Sequence, residues 1–284
     1  MGKKISKIVD FLQLERIEEN IFRGESRDMG TPQVFGGQVL GQAMEAASCT
    51  VEDRAVHSVH AYFLRRGDFN APIVYEVDRS RDGRSFSARR VVAIQHGRPI
   101  FTMSASFQTP EEGLESARGI VMPALPENAD KSSGKKAAKN AVPMPHSDFK
   151  VWRLDEEQRT DKESFQWWMR TRDTLPDDPR THASVLAYIS DFGLLGSAIL
   201  PLTEELGPRE ARRKEIQFAS IDHTIWFHRP FRMDEWLLYY CRSISNSQSR
   251  GLAQGSVYNR DGLLVASTMQ EGLVRVVGDV GQGD

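Results

Sequence analysis

His60-Ala61-Tyr62-Phe63-Leu64-Arg65-Arg66 has a second copy further along the chain, His223-Thr224-Ile225-Trp226-Phe227-His228-Arg229, and this match decides how the whole chain is read. Working outward from it, Ile73-Val74-Tyr75 aligns with Trp236-Leu237-Leu238, and Arg79-Ser80 with Arg242-Ser243. Gly97 in HGRPIF corresponds to Gly262 in DGLLVA, and both closing strands reach a glutamine, Gln108 and Gln270. Self-similarity of this length means that one structural unit occurs twice.

The unit is one helix followed by a meander of strands. FGGQVLGQAMEAASC at 35–49 places Val39, Leu40, Ala43, Met44, Ala46 and Ala47 over a broad apolar surface, so a buried helix is expected over about 37–49. From Val56 to Gln108 the pattern changes to extended segments, HSVHAYFL, PIVYEVDRS, SFSARRVVAIQ and RPIFTMSASFQ, separated by turn residues such as Asp82-Gly83 and His96-Gly97. In the second half THASVLAYISDFGLLGSAIL predicts a helix over about 180–198, and extended segments return in FASIDHTIWFHRP, EWLLYYCRSIS, RGLAQGSVYNR and LLVASTMQEGLVRV. Strands are also expected near Ile21–Arg23, in FKVWRLDEE and in ESFQWWMRTR, after a short amphipathic opening helix carrying Ile5, Ile8, Phe11, Leu12 and Leu14. A sheet with one apolar face must cover it, and a long apolar helix laid across it does so.

Composition sets outer bounds. A chain of 284 residues with 39% hydrophobic and 27% charged side chains is globular, and it can bury about three quarters of its unfolded surface without a metal or disulfide staple. Lys plus Arg at 37 against Asp plus Glu at 39 leaves a formal charge of −2, which predicts no nucleic-acid or membrane partner driven by electrostatics. Cys49 and Cys241 are far apart and lack CxxC spacing, which fits a reducing, cytoplasmic location. The start MGKKISKIVDFLQLERIEE has no apolar signal-peptide core, and no apolar run approaches membrane-spanning length; Met-Gly with Ser6 is read as a start context rather than a myristoylation signal. The stretch from about 111 to 147 supplies Pro, Ser, Gly and lysines 131, 135, 136 and 139 with little periodicity, and reads as a solvated linker or surface excursion.

Several catalytic signatures are absent. There is no GxSxG elbow, Gly36-Gly37-Gln38-Val39-Leu40-Gly41 is not GxGxxG, Gly134-Lys135-Lys136 is not a Walker A loop, and the seven histidines show no ligand spacing. No metal or cofactor is therefore expected. What remains is a set of polar residues inside apolar segments. Asp191 interrupts AYISDFGLLG, where a carboxylate must find donors, face a cavity or lose its charge. It is either the N-cap of a helical segment beginning at Phe192 or a catalytic group. Ser220 and Gln270 lie in strands among apolar neighbours, as satisfied buried polar groups or as parts of a site.

FRGES at 22–26, VFGGQVLGQA at 34–43, HSVHAYFLRRGD at 57–68 and RDGRSFSARRV at 81–91 together resemble a known family. In the second half YISD at 188–191, IDHTIWFHRPF at 221–231, EWLLY at 235–239 and DGLLVASTMQEGL at 261–273 extend the resemblance, which is to acyl-CoA thioesterase II, the double-hotdog thioesterases of bacteria and peroxisomes. It spans nearly the whole chain outside 111–147. The resemblance implies an α+β double hotdog, two repeats over 1–115 and 148–284 joined edge to edge, with 116–147 as the linker. It also implies hydrolysis of acyl-CoA to free acid and CoA.

Carried over by motif, the family's catalytic aspartate falls on Asp191, its hydroxyl residue on Ser220, often threonine in the family, and its glutamine on Gln270. His57 in the VHS context is read as structural, and the Gly36-Gly37 region is a candidate source of oxyanion donors. Only the second half carries the full set, so one hydrolytic centre per chain is expected, in a homodimer or homotetramer. A hotdog hydratase or dehydratase and a non-catalytic acyl-CoA binder are the competing readings.

Overall fold

The structure is a computed structural model that describes residues 7–117, 119–127, 129, 148–202 and 216–277. In chain order the elements are α1 (Lys7–Leu12), β1 (Glu15–Glu18), β2 (Ile21–Gly24), α2 (Gly36–Ser48), β3 (Ala55–Phe63), β4 (Ile73–Asp82), β5 (Phe86–Gln95) and β6 (Arg98–Gln108). The second half repeats the plan with β7 (Phe149–Arg153), β8 (Ser164–Thr171), α3 (Pro179–Ser190), a 3₁₀ segment (Leu195–Leu202), β9 (Ile216–Ser220), β10 (Asp222–Phe227), β11 (Leu237–Ser247), β12 (Arg250–Tyr258) and β13 (Leu264–Val276).

Among the described residues these strands form one antiparallel sheet in the order β1-β2-β4-β5-β6-β3-β10-β13-β12-β11-β8-β7, with β9 on β13. The order reads the same from either end once each strand is replaced by its counterpart, which is the double hotdog. The seam is β3 against β10, where Tyr62 faces Asp222, His60 faces Thr224 and Ser58 faces Trp226. Alternation sets the faces: along β5 and β12 nearly every second residue is buried.

Inside the curve of the sheet lie α2 and α3. From Gly37 to Ser48 only Glu45 in α2 is not fully buried, which fits a helix apolar on almost all sides. The two helices run antiparallel and close together because small residues line the contact. A Cβ at Gly37 would stand 2.1 Å from the Tyr188 carbonyl oxygen, and one at Gly41 3.1 Å from that of Ser184. The antiparallel crossing brings the end of α3 to the start of α2.

Three expectations need correction. The helix predicted over 180–198 ends at Ser190: Gly193 adopts a left-handed φ of 76°, and the chain resumes only as the 3₁₀ segment. The repeat alignment is also shifted by one residue. The N–H groups of Leu64 and Arg65 both reach the Ile100 carbonyl, and those of His228 and Arg229 both reach that of Val265. Leu64 therefore corresponds to His228 and Arg65 to Arg229, so His60 matches Thr224, not His223. A slip of one residue reverses every side chain on a strand. Likeness between two histidines had matched an outward-facing position with a buried one. The bulges at Ala93/Ile94 and Val257/Tyr258 confirm the shifted match and pair Tyr75 with Tyr239. By the same register Ala105, not Gln108, is the counterpart of Gln270, since each faces the matching residue of the neighbouring strand, Arg89 or Ala253.

The third correction concerns residues 111–129. Leu114 and Val121 are exposed, yet Ile120, Met122, Leu125 and Ala129 pack on the outer face of the second repeat against Trp152, Trp168, Trp236 and Tyr258. That part of the excursion is a cover rather than solvated loop. The lysines at 131, 135, 136 and 139 and the Met-Gly start lie outside the described residues.

Candidate active site

Asp191 is the first residue beyond α3. It keeps helical backbone angles, φ −73° and ψ −18°, as the C-cap of that helix, so it is not the N-cap of a segment starting at Phe192. Its carboxylate crosses to the other repeat. α3 is capped by its own Asp178, which accepts from the Arg180 N–H at 3.2 Å, and Pro179 opens the helix. α2 has no such cap, because Phe35 in the N-cap position offers no acceptor. Asp191 lies against the start of α2 instead, where the Gly37 N–H and the positive end of the helix dipole favour its charged form.

Gly36 makes this approach possible. A Cβ there would stand 2.7 Å from Asp191 Oδ2 and 2.9 Å from the Phe63 ring.

Ser220 and Gln270 reach Asp191 from the sheet. β9 and β10 both pair with β13, and Gly272 lies opposite Ser220 on β9. Gln270, two residues earlier, points to the same inner face and is fully buried. Its Nε2 donates to Asp191 Oδ1 at 2.5 Å and to Ser220 Oγ at 3.1 Å. The Ser220 hydroxyl and the Gly37 N–H are also near enough to Asp191 to favour its charged form. Gln270 Oε1 is buried and has no hydrogen-bond partner among the described residues. Burial pushes the Asp191 carboxyl above the usual carboxylate range, against the pull of its bonds from Gln270, Gly37 and Ser220.

A second polar layer went unread in the sequence. His223, fully buried, shares a hydrogen bond of 2.9 Å between Nε2 and Ser190 Oγ, and burial pulls its pKa down to about 3, so the ring is neutral. Tyr239 OH donates to the Ser190 carbonyl at 2.9 Å and shares a 2.8 Å bond with Thr268. These groups fix the turn that carries Asp191. The available signal was the Ser190-Asp191 step together with the buried strand position of His223. His57 makes its contacts elsewhere, with Ser106 at 2.8 Å and the edge of Phe86.

A cleft of about 280 Å³ opens beside the cluster, walled by Gly36 and Val39 of α2, Phe63 to Gly67, Phe101, and Phe218 to Ser220. Ser220 and Gly36 lie in its wall, and Asp191, which does not itself line the cleft, packs against Gly36 and is bonded to Gln270, which also bonds Ser220. Among the described residues no three His, Cys, Asp or Glu side chains gather into a metal-binding group. The chemistry available is that of a half-buried carboxylate, a hydroxyl and an amide.

Residues 148–273 match the acyl-CoA thioesterase family, and residues 25–108 match the acyl-CoA thioesterase N-terminal domain. The acyl-CoA thioesterase 2 of Haemophilus influenzae is 39% identical over 97% of this chain and 99% of its own length. Acyl-coenzyme A thioesterase 8 of Homo sapiens is 37% identical over 95% of this chain and 89% of its own. Among solved structures, an acyl-CoA thioesterase II of Mycobacterium marinum superposes with a TM-score of 0.80 at 40% identity, covering 97% of this chain and all of that one. Fold and cluster together define a double-hotdog hydrolase. The chain belongs to the acyl-CoA thioesterase II family.

Proposed function

We propose that Asp191 is the general base of this enzyme and that Ser220 and Gln270 position the water it activates. The chain is an acyl-CoA hydrolase that converts an acyl-CoA to free acid and CoA. The observation that carries the assignment is the half-buried Asp191 carboxylate, bonded to Gln270, which also bonds Ser220 in the wall of an open cleft. Water bound there forms its bond to the thioester carbonyl carbon as its proton passes to Asp191. Collapse of the tetrahedral intermediate breaks the carbon–sulfur bond, and the proton goes to the departing thiolate. A carboxyl group with raised pKa is a stronger base, and base assistance of this kind supplies on the order of 10² to 10⁴-fold. No covalent intermediate is needed.

The test is release of free thiol from a panel of acyl-CoAs, read with enoyl-CoA absorbance. Hydrolysis releases thiol. A hydratase would change only the absorbance, and a binder neither.

The same reading places the enzyme in the cytoplasm, supported by Cys49 and Cys241 both being unpaired thiols. The one stretch among the described residues long and apolar enough to cross a membrane, Pro179–Leu202, contains α3, which packs against α2. Exposed Tyr62, Leu64 and Phe86 on the first repeat support a homodimer or homotetramer, which sedimentation would check.

A further inference from the structure

Beside the active-site cleft lies a second cavity of about 370 Å³, lined by Arg65, Arg66, Gln95, His96, Arg98 and Ile100. Arg65, Arg66 and Ile100 line both cavities, so the cleft at Ser220 and the cluster of arginines adjoin across these residues. Among the described residues none of the three arginines has a carboxylate partner, while His96 is paired with Asp68 at 3.1 Å. The cluster is held in place by backbone geometry. His96 and Gly97 both have positive φ, 50° and 70°, and form the tight turn that sets Arg98 at the start of β6; Arg65 Nη1 donates to the Pro99 carbonyl at 2.6 Å.

The other repeat supplies an internal comparison. There Pro230 and Leu263 stand in the places of Arg66 and Arg98. Arg229, the counterpart of Arg65, is ion-paired with Glu115 at 3.3 Å. At the three matched positions the arginines are therefore reduced to one, and that one is ion-paired. Adjoining cavities, charge and asymmetry select a ligand with its reacting group at one end and several negative charges at the other.

We propose that Arg66 and Arg98, with Arg65 as a fixed wall, bind the phosphate groups of the CoA nucleotide while the thioester lies at Asp191. The proposal rests on the acyl-CoA reading for the identity of the ligand, and the observations for it are separate from those for the base. Guanidinium groups suit phosphate because they offer paired donors in a planar fork. Exposed beside the cleft, they also raise the local concentration of an anionic substrate.

The test is titration of CoA and of pantetheine, which lacks the nucleotide phosphates, into the wild type and the Arg66→Glu/Arg98→Glu double variant, each checked by thermal melt. CoA binding should weaken at least tenfold in the double variant and in the wild type at high salt, with pantetheine binding unchanged. For acyl-CoA hydrolysis, KM should rise by a similar factor with kcat within about twofold, and Arg229→Ala should alter neither. Equal CoA affinity in wild type and double variant, or equal losses for CoA and pantetheine, would overturn the proposal. A chain that binds CoA through these arginines yet releases no thiol would instead sink the hydrolase reading alone.

Discussion

Asp191 Oδ2 fills the space that a side chain at Gly36 would need, 2.7 Å from where its Cβ would lie. The Asp191 carboxylate and the first turn of α2 therefore belong to different repeats but are sterically one unit. Gly36→Ala should push the carboxylate away from Ser220 and Gln270 and lower turnover at least tenfold. Gly41→Ala presses only on Leu12, Ser184 and Tyr188, and should reduce the melting temperature with little change in kcat. Full activity in the folded Gly36→Ala variant would mean that the Asp191 position is not critical.

Asp191→Asn removes the base while keeping the volume, so turnover should fall by about two orders of magnitude or more. Near wild-type turnover in a folded variant would reduce Asp191 to a cap for α2. In the wild type the acid limb of the kcat profile should lie above the usual aspartate range, since the folded carboxyl is harder to ionise.

The same shift has a consequence for stability. A carboxyl whose folded pKa is raised binds its proton more tightly in the native state, so its stabilising effect is complete at low pH and is lost as pH rises through the folded value. Relative to Asp191→Asn, the wild type should therefore lose stability as pH rises from the ordinary aspartate value through the raised folded one. Melting temperatures of the two proteins across that range check this, and a constant difference would contradict it.

Ser220 accepts from Gln270, and its hydroxyl favours the charged form of Asp191. Ser220→Ala deletes both interactions and leaves Gln270 with another unmet group, so a loss of about ten- to hundredfold in kcat is expected. Ser220→Thr keeps the hydroxyl and should stay within a few fold. If alanine and threonine are equivalent in kcat assays, the hydroxyl has no positioning role.

Much of the fold could be read because it is written in short-range pattern. Alternation along SFSARRVVAIQ, the apolar surface of QVLGQAMEAA and the turn pair His96-Gly97 each fix an element locally, and their recurrence fixed the double architecture. Register could not be read this way. Whether His60 matches His223 or Thr224 depends on which carbonyl Leu64 and His228 reach, information that exists only between strands. Asp191, Ser220 and Gln270 stood out as polar residues in apolar surroundings, and their motif contexts linked them. The packing of Asp191 against the uncapped start of α2 arises from the crossing of two helices about 140 residues apart in sequence. The arginine cluster was missed for a similar reason: Arg65-Arg66 and Arg98 look like ordinary surface charge until a hairpin turn brings them to one cavity.

His223 makes the last prediction, because its titration acts in the opposite direction to that of Asp191. Its ring is fully buried, bonds Ser190 Oγ, and holds an Nδ1 without a partner among the described residues. With a folded pKa near 3 against an ordinary 6.5, the unfolded chain takes up the proton first as pH falls. The stability contributed by neutral His223 is complete above about pH 6.5 and is lost progressively toward pH 3, at roughly 1.4 kcal/mol per pH unit within that window. His223→Gln cannot titrate but can still bond Ser190. It should lower stability at pH 7.5 modestly through imperfect packing and flatten the acid limb of a denaturant-unfolding series run from pH 6.5 to pH 4.5. An Asp191→Asn background removes the opposing slope, so the flattening should be clearest there. An acid limb equally steep with and without His223 would show that other groups drive acid unfolding, and that the ring is not held neutral by burial.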